Sequence, residues 1–250
     1  MMRISETVKH LIIINVIMFI GALTIGNGES FFNWFALYFP KSSMFEPWQV
    51  VTHMFMHANF MHIFFNMFAL WMFGSPVEYQ LGSKKFLFIY FSAGLGAVLF
   101  QLGYYYLHYI PLESELISSG LTHNEIIQMF NSNQSISGIT NSQLSLLKQA
   151  FPIYHASMVG ASGCIMGVLA AFGMMNPDAR LMMIFLPIPI KAKYFIPGII
   201  ILDLISALSG QSFFSPSNTA YMAHVGGAIT GFFIMWYWKK NQFNKNRWDK

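Results

Sequence analysis

Charge is scarce in this 250-residue chain: Asp, Glu, Lys and Arg make up 10% of it, against 55% apolar residues. With a mean hydropathy of +0.48, that balance excludes an ordinary soluble globular domain and places the chain among polytopic membrane proteins. Cysteine is reduced to Cys164, which excludes an internal disulfide framework and a cysteine-based zinc cluster. Internal repeats are also missing, and with them the inverted repeats and paired broken helices of a transporter. The net charge of +4 is small and needs no nucleic-acid partner once its placement is read.

No charged residue occurs from His10 to Gly28, Pro47 to Val77, Phe86 to Leu112, Gln149 to Pro177 or Leu204 to Trp238, and roughly 20 apolar residues suffice to cross a bilayer. Four of these runs give one span each. The last is split by the turn-rich Gly210–Asn218, leaving a fifth span around 190–208, interrupted by Asp203, and a sixth at 219–238. The expected fold is therefore an all-α bundle of six transmembrane helices in one membrane domain, 1–250. On that topology Arg3, Lys9, Lys84, Lys85, Arg180, Lys191, Lys193, Lys239, Lys240, Lys245, Arg247 and Lys250 fall on the side of the termini, and only Lys41 and Lys148 fall opposite. The positive-inside rule then makes both termini cytoplasmic.

Residues 1–28 have the outline of a secretory signal peptide, but the cleavage pattern is weak and removing them would scramble the charge map. The aromatic segment Asn27–Gln49 is expected in the outer interface. Residues from about 108 to 156, rich in Ser, Asn, Gln and Thr, read as an extramembrane loop insertion, solvated and tolerant. Short helices are expected in it, begun by Thr122 with Glu125 at capping-box spacing and by Asn141. Leu186-Pro-Ile-Pro-Ile190 reads as an interfacial entry to the fifth helix.

Within the apolar runs stand three polar constellations: His62-x-x-x-Asn66, Gly160-Ala-Ser162-Gly163 and Ala223-His224-Val-Gly-Gly227. Such groups are expensive in hydrocarbon and mark function. Serine chemistry on a peptide bond needs a nucleophile, a base within reach and donors aimed at the developing oxyanion. Ser162 begins the fourth helix, where its own unsatisfied amide could serve as one donor. His224 begins the sixth at comparable depth, and small-residue stripes through Gly163 and Gly167 and through Gly227 and Gly231 would let the two helices close up. His62 and Asn66, one turn apart, share a face of the second helix and can donate to one oxyanion. A helix running on from Trp48 would bury His62 roughly 20 Å below it, so the span is expected to start later, near His53.

These motifs, with the second-span string His53-Met-Phe-Met-His57-Ala-Asn-Phe-Met-His62-Ile-Phe-Phe-Asn66 and the Gly74-Ser-Pro-Val-Glu78-x-x-x-Gly82 connection, resemble the rhomboid family of intramembrane serine proteases across residues 8–238, the insertion apart. The resemblance implies a six-helix bundle, a Ser162–His224 dyad without an acid, and an oxyanion site from His62, Asn66 and the Ser162 amide. It implies single-span membrane proteins as substrates, cut near the outer face. Two positions depart from the family pattern. Gln49 stands where many members carry Arg after Trp48, losing an ion pair or headgroup contact, and Met166 stands where many carry a Tyr stacked on the base.

His57 and Gly160 are expected to support the site, His57 at its outer rim, and His53 to sit in the wet interface. No metal is assigned to His53, His57 and His62, and no cofactor is expected. Asp203 could be read as a third triad member, but capping or hydration explains an acid toward the outer end of its span. Cys164 points away from Ser162 and reads as a small packing residue. A bacterial inner membrane is the preferred location, with the bilayer and transmembrane protein substrates as partners. The rival reading is a catalytically inert rhomboid-fold protein that binds or escorts membrane clients.

Overall fold

The computed structural model describes residues 3–183, 186–213 and 219–245. Helix α1 (Glu6–Thr24) is tethered at its start and greasy along its length. Ile13, Ile14, Ile17, Ile20 and Leu23 point outward, an apolar exterior that suits a bilayer and not water. Its tether is Glu78. One carboxylate oxygen accepts from the Thr7 amide at 3.1 Å and the Ser83 hydroxyl at 2.7 Å; the other accepts from the Val8 amide at 3.1 Å and the Ser5 hydroxyl. The first turn of α1 thereby gains partners for its orphan N–H groups. Glu78→Gln puts an amide donor where one oxygen faces two donors, so we expect a loss of about 3 kcal/mol. Thermal unfolding in detergent measures it, and an unshifted midpoint contradicts the tether.

After α2 (Glu29–Phe35), β1 (Leu37–Tyr38) and α3 (Gln49–Thr52), helix α4 (Phe60–Ala69) runs through a π turn at Leu70–Gly74 into α5 (Ser75–Leu81). The π turn leads into Pro76, whose missing N–H would break a regular ladder. Helix α4 begins at Phe60, capped by the Asn59 side chain, which accepts from the His62 amide at 2.9 Å. The expected start near His53 is thus corrected, and His62 lies in the first turn.

Helix α6 (Ser83–Ser118) has 36 residues, about 54 Å of length against a hydrocarbon core of about 30 Å. The insertion therefore does not begin as a loop at 108. The last turns of α6 pack with α7 (His123–Ser132) and α8 (Asn141–Tyr154) around Tyr109, Leu116, Ile126, Phe130, Leu147 and Tyr154, a small core of their own that also takes in Phe39. A solvated, tolerant loop is not what the chain forms here. Thr122 and Glu125 make the expected capping box, whereas α8 is capped by Thr140 with Gln143. The hydrogen bonds that Thr122 gives Glu125 hold its carboxyl below the ordinary carboxylate value, so this cap is present above that range and lost as pH falls through it. Glu113 joins α6 to the first loop through Lys41 and to α7 through His123 at 3.0 Å.

Strand β2 (Ser157–Met158) pairs antiparallel with β1, Leu37 opposite Met158 and Tyr38 opposite Ser157. Next comes α9 (Ser162–Met175), buried at every position from Gly163 to Phe172. A helix apolar all round belongs in the centre, and α9 packs against α4, α5, α6, α10 and α11. Strands β3 (Arg180–Met183) and β4 (Leu186–Lys191) form a hairpin, so the Leu186–Ile190 segment is a strand that leads directly into α10 (Ala192–Ser209). The two short sheets correct the all-α expectation without changing the helical frame. Of the turn-rich 210–218, residues 214–218 lie outside the described residues. Helix α11 (Tyr221–Lys245) completes the bundle.

Four helical stretches, Glu6–Thr24, Phe60–Leu81, Ser83–Ser118 and Ala192–Ser209, are long and apolar enough to cross a membrane. Helix α9, at 14 residues, reaches only about 21 Å. The chain is a multi-pass integral membrane protein. Basic residues gather at one end of the bundle: Lys85 lies over the Trp238 ring, Lys240 over Trp236, and the Lys239 ammonium donates to the Met174 carbonyl at 2.9 Å.

Candidate active site

The opposite end of the bundle carries the polar motifs, and glycine brings them together. A β-carbon on Gly227 would lie 2.1 Å from the Gly163 carbonyl oxygen, and one on Gly231 would lie 2.2 Å from that of Gly167. Helices α9 and α11 therefore touch backbone to backbone, the close approach expected from the two small-residue stripes. Ser162 is the residue before Gly163, and His224 is three before Gly227, so the contact fixes hydroxyl and imidazole at one level.

Gly227→Ala would drive that methyl into backbone, which cannot give way as a side chain can. We expect a loss of roughly 3 kcal/mol, with activity falling as the helices part. Gly103→Ala in α6 is the control, because nothing lies within 4 Å of its added carbon and helix propensity favours alanine by up to about 1 kcal/mol. Equal unfolding midpoints for the two variants would contradict the packing argument.

Helix α9 starts at Ser162 with no side-chain cap, and its first backbone bond runs from the Ile165 amide to the Ala161 carbonyl. The N–H groups of the first turn are thus left facing the site. Gly160 leads into that turn with φ +125°, a conformation that strains any other residue, and its added carbon would meet His62 Nε2 at 2.8 Å and Ser162 Oγ at 3.7 Å. His62 therefore lies beside Ser162. The Ala58 amide donates to His62 Nδ1 at 3.4 Å, so Nδ1 is the acceptor and Nε2 carries the proton toward Ser162. Asn66 follows one turn down α4 and is buried.

His224 makes the contact that sequence reasoning set aside. Its Nδ1 lies 2.8 Å from Asp203 Oδ2, and Asp203 is fully buried at 0% exposure. Capping or hydration does not account for Asp203; a partner on the neighbouring helix does. Among the described residues no hydrogen bond joins Ser162 Oγ to His224.

The rim is built from residues that sequence reasoning weighed lightly or misplaced. His53 is not in a wet interface: it is buried, its ring Nδ1 is 2.8 Å from the Gln49 carbonyl, and its own carbonyl accepts from the Gly160 amide at 2.9 Å. His57 is buried behind His62, ring centroids 5.0 Å apart. Gln49 is no exposed substitute for a headgroup-binding arginine. Buried completely, it accepts from the Tyr38 and Glu46 amides and donates to the Asn33 and Met44 carbonyls, which pins the loop carrying β1. Gln101, from α6, accepts from the Ala223 amide at 3.2 Å and holds the start of α11. Its signal was a polar residue in an apolar run, the same signal that marked His62 and His224. Met166 is buried in the core beside α9's other apolar residues, and Cys164 packs against Gly94 as expected of a small filler. Among the described residues no group of three or more His, Cys, Asp or Glu side chains is arranged to hold a metal.

An apolar groove of about 660 Å³ between α1 and α4, lined by residues including Ile12, Phe19, Phe60, Phe64, Phe68 and Trp71, lies apart from Ser162 and His224.

A family model described as the Rhomboid domain matches residues 44–241. Presenilin-associated rhomboid-like protein, mitochondrial, of Mus musculus is 28% identical over 194 residues, 75% of this chain and 38% of that protein. Rhomboid protein 1, mitochondrial, of Saccharomyces cerevisiae is 26% identical over 192 residues, 76% of this chain and 42% of its own length. Rhomboid protease GlpG of Salmonella typhi is 39% identical over 74 residues, 30% of this chain and 26% of that protein. The chain thus spans about two fifths of the mouse and yeast relatives. Their names place both in mitochondria, so the preference for a bacterial inner membrane finds no support in them. A rhomboid-domain match over residues 44–241, on a bundle whose apolar faces point outward and whose polar residues meet at one end, shows that the chain belongs to the rhomboid family.

Proposed function

We propose that the chain is an intramembrane serine endopeptidase with six spans in one membrane domain, both termini cytoplasmic, that cleaves single-span membrane proteins near the outer face. The observation that carries this reading is the glycine contact between α9 and α11, which sets Ser162 and His224 at one level with the Nε2–H of His62 beside them.

In this reading Ser162 Oγ attacks the scissile carbonyl carbon while His224 Nε2 takes its proton. The carbonyl oxygen becomes an oxyanion that accepts from the Ser162 amide, His62 Nε2 and the Asn66 side chain. The imidazolium then gives its proton to the leaving amine, and a water repeats the sequence on the acyl-enzyme. A low-dielectric surrounding of apolar helices strengthens each of these electrostatic contacts relative to bulk water.

The test is proteoliposome reconstitution with a single-span reporter tagged at both ends. Release of two fragments, with a cut near the outer-face end of the span, is expected. Stable co-purification of intact reporter without fragments would instead favour an inert escort.

A further inference from the structure

Buried acids in apolar helices need a reason, because an ionised carboxylate removed from water is costly unless it is paired and hydrogen-bonded. Asp203 sits two thirds of the way along α10, at 0% exposure, and its Oδ2 is 2.8 Å from His224 Nδ1 on α11. An ionised carboxylate can only accept, so this contact places the proton of a neutral His224 on Nδ1. The other ring nitrogen, Nε2, is then the basic one. That is the tautomer a general base needs.

Resting on the serine-endopeptidase reading, we infer that Asp203 is a positioning residue that orients the His224 ring, fixes its tautomer and stabilises the imidazolium formed when the base takes the Ser162 proton. The site is then a relay of Ser162, His224 and Asp203, where the family resemblance implies a dyad without an acid. Proton bookkeeping is unchanged: the Ser162 proton goes to Nε2, the Nδ1 proton stays on His224, and Asp203 remains ionised. The relay also compensates for Met166. Where an aromatic ring would stack on the base, this chain has a flexible thioether, and a hydrogen bond from a neighbouring helix fixes the ring instead.

Two measurements test it. In the first, Asp203→Asn and Asp203→Ala are assayed on the single-span reporter alongside wild type, with folding checked by thermal unfolding. A fall in kcat on the order of 10⁴-fold is expected for the isosteric Asn variant, as for a triad whose aspartate is made neutral, with KM changed by less than about threefold because substrate contacts are untouched. In the second, the wild-type protein labelled with ¹⁵N-histidine is examined by NMR, and the His224 signals, assigned by their loss in His224→Gln, are expected to show the Nδ1–H tautomer near neutral pH.

An active wild type whose Asp203→Asn variant keeps kcat within about threefold overturns the positioning role alone. So does an Nε2–H tautomer in the wild type, and that result stands even where both Asp203 variants fail to fold. A wild type that neither cleaves the reporter nor reacts at Ser162 removes the endopeptidase reading, and this inference falls with it.

Discussion

Purified Ser162→Ala and His224→Ala are each expected to lose all measurable cleavage of a membrane-anchored reporter, Ser162→Ala with the wild-type unfolding midpoint and His224→Ala with a lower one, because buried Asp203 then loses its contact with the ring. In the proposed mechanism the two side chains act on one proton, so removing either removes the step, and the double variant should be no worse than either single one. Ser162→Ala deletes one hydroxyl at a helix start, whereas His224→Ala removes a side chain that is 12% exposed and bonded to Asp203, so it costs stability as well as the base. Residual turnover above a few per cent in Ser162→Ala, measured on protein purified free of host protease, would contradict the role given to that serine.

The second large effect lies in α4. In the proposed mechanism Asn66→Ala and His62→Ala each remove a donor to the oxyanion, and one such donor typically contributes 10²–10³ in turnover. The loss should fall on kcat and leave KM nearly unchanged, because the bond forms fully only as charge develops on the substrate oxygen. His62→Ala carries a further structural cost. The ring fills the space over Gly160, where it approaches within 2.8 Å of a built β-carbon, so its stability should drop more than that of Asn66→Ala. A pure KM effect in Asn66→Ala, with kcat preserved, would contradict the oxyanion role.

Much of this site was legible because membrane helices punish unnecessary polarity. His62, Asn66, Ser162 and His224 stood out against apolar runs, and the glycines at 163, 167, 227 and 231 announced which helices would touch. The same physics applies to Asp203. Its place toward one end of the fifth span suggests hydration, whereas its partner, His224, lies 21 residues on in sequence yet adjacent in space. A single sequence gives helix faces but not which face meets which, so an acid–histidine pair across two helices cannot be deduced from spacing.

Loops were harder still. Gln49 and Glu78 each make four hydrogen bonds to residues outside their own helices, and neither periodicity nor hydropathy encodes such a hub. Composition also misled at residues 108–156. Apart from buried Gln143, most Ser, Asn and Gln there lie on the exterior of α6, α7, α8 and their connections, whose buried faces recur at helical spacing in Ile126, Met129 and Phe130 and in Leu147, Ala150 and Tyr154. The capping box at Thr122 was the local signal that a folded unit was present.

The central claim is that Ser162 is an activated nucleophile, and reaction with a serine-directed fluorophosphonate tests it most directly. Purified protein in detergent is incubated with the probe and digested, and the modified residue is located by mass spectrometry. The account predicts one covalent adduct, on Ser162, absent from Ser162→Ala and strongly slowed in His224→Ala. Labelling that persists unchanged in Ser162→Ala, or a folded wild type that does not react at all, would contradict it.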